Sequence, residues 1–335
     1  MTGPLPGFAS PLTVPASWVY GLTIAARNAR FDRGNAVASV DVPVISVGNL
    51  TTGGVGKTPM VAWIADLLVN QGRLPVIAMR GYRARAGESS DEQAEYAQRL
   101  PDVPVVAKAD RLAAIRAVRL RCPTIDCVLL DDGFQHRRIR RDLDLVLIDA
   151  SRNTFDDRLL PAGHLREPLA SLRRADAVVV TRAEGVDSSI AGAIQRHHGR
   201  PPVAWSRHTW THLAVHHPDE RREPVDWLRG KRLLTMLGVG HPRSIILQLQ
   251  QAGAEVAVNL PVRDHQRYGR AKLAVAEGLC EGLDAMVMTP KDWVKAQLLI
   301  DLSRWPVPVV IPQPALDVFD GAEALRRLIL DAVAR

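Results

Sequence analysis

Acidic residues are missing from the first 31 positions of this 335-residue chain, where Arg27 and Arg30 are the only charged side chains. No basic segment precedes the apolar stretch there, so a secretory signal is not expected. Pro4, Pro6, Pro11 and Pro15 interrupt that stretch too often for a membrane-spanning helix. Cysteine is scarce as well. Cys122, Cys127 and Cys280 are odd in number and lack metal-ligand spacing, which fits a reducing compartment and argues against a disulfide framework. Aromatic residues make up only 5% of the chain, a thin supply of stacking platforms, and no nucleic-acid-binding module is recognisable. Internal repeats and low-complexity tracts are also missing.

What is present points to a folded protein with anionic partners. The chain is 47% hydrophobic, enough for a sizeable core, and its charged residues (24%) are well mixed. The net charge of +7 suits nucleic acid, nucleotides, phosphorylated lipids or the inner leaflet of a membrane, and charge alone does not choose among them. Ser17 reads as an N-cap, and Trp18, Leu22, Ala25 or Ala26 and Ala29 follow at helical spacing. With Tyr20 and the two arginines, such a helix suits a bilayer interface. Pattern alone favours instead a helix docked on the protein's own core.

Short β-branched runs alternate with helical stretches, the pattern of an α/β protein with a mainly parallel sheet flanked by helices. Strands are expected at 42–47, 74–79, 103–107, 125–131, 143–148 and 177–181, with helices after Lys57, Asp91, Asp110 and Glu167. Beyond residue 200 the runs 203–206 and 210–215 read as a two-stranded ribbon, followed by a polar stretch and a second α/β set. The expected organisation is an N-terminal interface segment (1–31), a core (32–200), a hinge (201–226) and a smaller C-terminal α/β domain (227–335).

The strongest local signal runs from Gly48 to Pro59 as Gly-Asn-Leu-Thr-Thr-Gly-Gly-Val-Gly-Lys-Thr-Pro, after an apolar strand and ahead of an amphipathic helix. Glycines let successive N–H groups turn inward on phosphate oxygens, and the helix start adds partial positive charge. This is a P-loop signature, with Thr51 where the usual pattern has glycine and with Gly53 and Gly54 nearer the turn. Thr51, Thr52, Gly53, Gly54, Val55, Gly56, Lys57 and Thr58 are therefore expected to hold ATP. Lys57 would reach the β- and γ-phosphates and the Thr58 hydroxyl would ligate Mg2+. A hydrophobic strand then delivers Asp131 and Asp132 to its C-terminal edge, where magnesium-binding carboxylates belong.

These pieces join others in a fixed order: Arg80-Gly81-Tyr82, Asp131-Asp132-Gly133-Phe134-Gln135-His136-Arg137, Leu160 to Pro168 (Leu-Pro-Ala-Gly-His-Leu-Arg-Glu-Pro), Asp264-His265-Gln266-Arg267-Tyr268 and Thr289-Pro290-Lys291-Asp292. Together they resemble the tetraacyldisaccharide 4′-kinase family of Gram-negative bacteria. The resemblance implies transfer of the ATP γ-phosphate to the 4′-hydroxyl of an acylated disaccharide 1-phosphate lipid, giving lipid IVA in lipid A synthesis. It implies a peripheral position on the cytoplasmic face of the inner membrane, and it turns the reading of the 18–31 helix towards the interface. It also implies that Asp91 accepts the hydroxyl proton and that His265 pairs with it. The flanking element reads Ser90-Asp91-Glu92-Gln93, without the family's glycine and proline. Glu92, Arg80, His136, Arg166 and Glu167 are implied near the substrate or behind the site, and Thr289 to Asp292 near the nucleotide base. The competing reading is a regulatory P-loop ATPase of the partition or metal-chaperone type. Against it, residues 49–51 hold no second lysine and no Cys/His metal cluster is visible.

Overall fold

Runs of valine, isoleucine and leucine without polar interruption form strands buried on both faces, as parallel sheets require. The computed structural model describes residues 10–34, 37–81, 91–239, 242–262 and 268–334, with the backbone alone at 10–12, 91, 92, 94 and 98. Among these, the residues up to His208 together with those from Leu316 onward form one compact unit, and Thr209–Ala315 form another.

In the first unit α1 (Ser10–Asp32) leads to β1 (Val44–Asn49), α2 (Lys57–Asn70), β2 (Pro75–Met79), α3 (Asp91–Arg99), β3 (Val105–Ala107) and α4 (Arg111–Arg121). β4 (Cys127–Asp131), β5 (Leu143–Asp149), β6 (Ala177–Thr181) and α5 (Ser188–His198) follow. The strands pair in parallel in the order β6-β5-β1-β4-β2-β3. The strand order thus reverses about β1, and ligands of open α/β sheets bind beyond the strand C-termini at such a point. α2 buries Met60, Val61, Ile64 and Leu68 against the sheet, and the final helix adds Leu325 and Ile329 to the same core.

The chain leaves this unit along β7 (Ala204–His216). In the second unit come β8 (Glu220–Glu223), β9 (Arg232–Met236), α6 (Pro242–Gln251), β10 (Glu255–Asn259), α7 (Arg270–Gly278), β11 (Ala285–Met288) and α8 (Pro290–Ala296). The chain returns along β12 (Val309–Asp320) to α9 (Ala322–Val333). Here β10-β9-β11-β12 run parallel, while β8 pairs antiparallel with the end of β7.

Four expectations are corrected. α1 begins at Ser10 and runs through Pro15, so Ser17 is no cap; its hydroxyl donates to the Val14 carbonyl at 2.7 Å. Pro11 lies in the first turn, where its missing N–H has no ladder partner, and Pro15 gives up one bond near the helix start. The proposed ribbon of 203–206 and 210–215 is one strand, and its antiparallel partner is the charged segment Glu220–Glu223. Exposed charges on an edge strand look like a loop in sequence. The stretch after Glu167 is a six-residue 3-10 helix, Leu169–Arg174. The last helix, expected in the C-terminal domain, belongs to the core of the first unit.

Candidate active site

β1 ends at Asn49 and α2 begins at Lys57, so the loop between them lies at the C-terminal edge of the sheet. Gly56 caps α2 with φ +86°, and a Cβ there would stand 2.8 Å from His208 Nε2. Both the left-handed backbone and the space demand glycine. A Cβ on Gly48 would meet Phe134 Cβ at 2.5 Å, and the Gln135 side-chain amide donates to the Asn49 carbonyl at 2.9 Å. The Gly-Asn and Asp-Asp-Gly-Phe-Gln blocks are thus two halves of one contact, which explains why the sequence carries both.

A pocket of about 480 Å³ opens over the loop. Its wall includes Gly53 to Pro59, Arg80, Asp131, Asp132, Arg166, Arg182 and His208. Lys57 Nζ donates to Asn49 Oδ1 at 3.1 Å and lies 3.4 Å from Asp132 Oδ1. Arg166 Nη1 donates to both Asp132 carboxylate oxygens at 2.9 Å, and buried Arg111 donates to the Asp132 carbonyl at 3.0 Å. Burial works against ionisation of Asp132, but Lys57, Arg166 and Arg111 outweigh it and hold its pKa below the usual carboxylate range. Its φ of +53° is a strained conformation for a non-glycine residue, of the kind found where a side chain must be aimed.

Asp131 is 5% exposed and accepts from the Tyr96 phenol at 3.0 Å. That phenol also shares a hydrogen bond with Thr58, so one tyrosine ties together the expected hydroxyl and carboxylate ligands. Burial first, then Asp131, raises the Tyr96 pKa well above its ordinary value, so the phenol keeps its proton to donate. Two carboxylates and a hydroxyl are hard oxygen donors that suit Mg2+. Among the described residues no group of three or more His, Cys, Asp or Glu forms a protein-only metal cage. Mg2+ does not require one, since it takes one or two carboxylates and completes its shell with water and phosphate.

Other expected residues have different places. Thr51 and Thr52 are not on the pocket wall. The Thr51 carbonyl accepts from the Asn49 amide at 2.7 Å, and Thr52 N–H donates to the His164 carbonyl at 2.8 Å. They fix the start of the loop against the Leu160–Pro168 segment, and the pocket wall begins at Gly53. Glu167 is fully buried and accepts from Arg174 at 2.8 Å and from Asn28 of α1 at 2.9 Å. It anchors the N-terminal helix. His136 lies off the wall too; burial, then Arg111 and Arg141, push its pKa down to about 4. Arg80 and Arg166 do face the pocket. The side chains of Asp91 and Glu92, and all of His265, lie outside the described residues. Within the second unit, buried Asp292 accepts from Thr289 Oγ1 at 2.6 Å and from Gly238 N–H at 2.9 Å, so the Thr-Pro-Lys-Asp block closes a helix start.

Sequence reasoning missed Arg111, Tyr96, Arg182 and His208. Arg182 had a findable signal, since it directly follows a buried valine run that ends at the ligand edge of the sheet.

The sequence profile described as Tetraacyldisaccharide-1-P 4′-kinase matches residues 9–332. A tetraacyldisaccharide 4′-kinase of Geobacter sulfurreducens is 36% identical over 85% of this chain and 83% of its own length. One from Chlorobaculum tepidum is 31% identical over 98% of this chain and 99% of its own. A crystal structure of LpxK from Aquifex aeolicus in complex with ATP superposes with a TM-score of 0.70 at 30% identity, covering 96% of this chain and 98% of that one. A glycine cradle facing two aspartates, and a match along nearly the whole chain, lead to one conclusion: the chain belongs to the tetraacyldisaccharide-1-P 4′-kinase family.

Proposed function

We propose that this chain transfers the γ-phosphate of ATP to the 4′-hydroxyl of a tetraacyldisaccharide 1-phosphate, giving lipid IVA in lipid A synthesis. The observation that carries the reading is the single pocket that holds the Gly53–Thr58 cradle, Lys57 and the Asp131–Asp132 pair. Backbone N–H groups of the loop and the start of α2 bind the polyphosphate, and Lys57 and Arg166 supply positive charge where the transferred group builds up negative charge. Thr58, Asp131 and Asp132 would hold Mg2+, which supplies charge neutralisation at the β- and γ-phosphates. Asp132 stays ionised for that task because its cationic neighbours hold its proton affinity down.

Asp91 opens α3 and is the residue we assign to accept the proton of the attacking hydroxyl, with His265 as its partner. The chain would hinge where it passes from the nucleotide-binding unit into the α/β unit Thr209–Ala315. The N-terminal segment places the enzyme on the cytoplasmic face of the inner membrane as a peripheral protein. Supporting that placement, α1 has two faces. Tyr20 donates to the Arg166 carbonyl at 2.8 Å and Asn28 to Glu167, so one face is docked beside the site. The other shows Trp18 (72% exposed), Val19 (65%) and Leu22 (72%) to solvent, an apolar stripe suited to lipid. No described helix is long and apolar enough to cross a membrane.

The test is to incubate the protein with Mg-ATP and tetraacyldisaccharide 1-phosphate in detergent micelles and separate the lipids. A bis-phosphorylated lipid is expected; ATP hydrolysis without it would refute the reading.

A further inference from the structure

The helix that opens with Asp91 is short and polar. α3 reads Asp-Glu-Gln-Ala-Glu-Tyr-Ala-Gln-Arg, and Tyr96 is its one large apolar side chain. A helix of that length is marginal in water, so packing has to hold it. Among its described side chains only Tyr96 is buried, at 0% exposure, and the ring joins the core that α2 builds against the sheet. Glu95, next to it, is part of the pocket wall. Leu100, just past the helix, lies in the same core, and its N–H donates to the Tyr96 carbonyl at 2.8 Å.

The tip of that ring does more than fill space. The phenol donates to Asp131 Oδ2 at 3.0 Å and accepts from the Thr58 hydroxyl. Its two partners belong to other elements: Asp131 closes β4, and Thr58 lies in the first turn of α2. A threonine hydroxyl whose proton is turned to the phenol keeps its lone pairs for a cation, and a carboxylate tied at one oxygen is fixed in rotation. A hydrogen-bonding group behind a metal ligand orients it, and its loss weakens metal binding or activity by about tenfold or more.

One hydroxyl group therefore joins the residues suited to Mg2+ to the helix that carries the assigned base. We propose that Tyr96 is a positioning residue that couples the two: its phenol orients Asp131 and Thr58 and, through the same bonds, ties the docking of α3, and with it the place of Asp91, to the occupied metal site. The assignment rests on the ATP-kinase reading above, with Asp91 as base. The coupling is reciprocal, so docking of α3 and affinity for the ion rise by the same factor. A phenylalanine at this position would fill the core equally well and break the coupling.

The experiment follows hydrogen exchange at the α3 amides of the full-length wild type, Tyr96→Phe and Leu100→Ala, each with a non-hydrolysable ATP analogue, first without and then with Mg2+. Thermal melting checks the fold, and lipid phosphorylation gives kcat and KM. In the wild type, Mg2+ should slow exchange in α3 by at least about tenfold. In Tyr96→Phe that gain should shrink to within about twofold, with kcat about tenfold lower and KM for ATP within about threefold. Leu100→Ala should loosen α3 equally with and without Mg2+ and keep the gain, the mark of a residue that only packs. An α3 indifferent to Mg2+ in a wild type that binds the analogue, an equal gain in Tyr96→Phe, or wild-type kcat in that variant would overturn the coupling. Loss of the gain in Leu100→Ala would do so too, since loosening alone would then explain it. The wild-type and Leu100→Ala arms carry the test if Tyr96→Phe fails to fold. A wild type that binds neither the analogue nor Mg2+ would remove the ATP-kinase reading and the coupling together.

Discussion

The two flanks of β1 use the same residue types for opposite purposes. At the end of β4, Asp132 faces the pocket with 29% of its side chain exposed, and its partners Lys57 and Arg166 are also part of the wall. At the end of β5, Asp149 is buried and saturated by a hydroxyl, an N–H and two arginines. A carboxylate open to the pocket can exchange its cationic partners for a metal and a phosphate. One sealed among donors can only orient what holds it. Accessibility, more than charge, separates the acid that does chemistry from the acid that aims a neighbour.

The comparison can be broken most severely on the β4 side. Lys57→Ala and Asp132→Ala should each lower kcat by about a thousandfold or more with the fold intact, read from lipid phosphorylation and from melting. Asp91→Asn should lower kcat by about a hundredfold or more and leave the ATP dissociation constant within about twofold. Full activity of that variant would remove the base assignment. Further out, Trp18→Glu with Leu22→Glu should weaken vesicle cosedimentation by about tenfold while catalysis on a micellar substrate persists. Unchanged cosedimentation would end the interfacial role of α1.

The smallest effect expected is on stability against pH. The pKa values of His136 and His208 are lowered from 6.5 to about 4. Between those values the unfolded chain binds protons that the folded one refuses, so stability should fall as pH drops from about 6.5 to 4. His208→Gln should flatten that slope in a melting series. The depressed pKa of Asp132 acts lower on the scale: its contribution is present above the unfolded carboxylate value and is lost as pH falls through the folded one.

The sheet was legible because its strands are buried on both faces. β2, β4 and β6 fall within the expected apolar runs, β5 runs one residue past its own to Asp149, and the phosphate loop sits between a strand and a helix as its glycines require. What sequence pattern hid has physical causes. β8 is charged and at an edge, so it lacks the alternation that marks a half-buried strand. Glu167 adjoins Arg166, yet the two serve opposite ends of one segment, Arg166 the pocket and Glu167 the seat of α1. Motif adjacency cannot resolve that difference. α1 was offered as either docked or interfacial, and its two faces show that docking on one side leaves an apolar stripe on the other.

The claim that Thr58, Asp131 and Asp132 gather around one metal-bound triphosphate is tested most directly by electron paramagnetic resonance with Mn2+ in place of Mg2+. Weak Mn2+ binding alone should tighten by at least about tenfold with a non-hydrolysable ATP analogue, and Asp132→Ala should abolish the gain. Mn2+ binding that ignores the nucleotide, or a gain that survives in Asp132→Ala, would contradict the account.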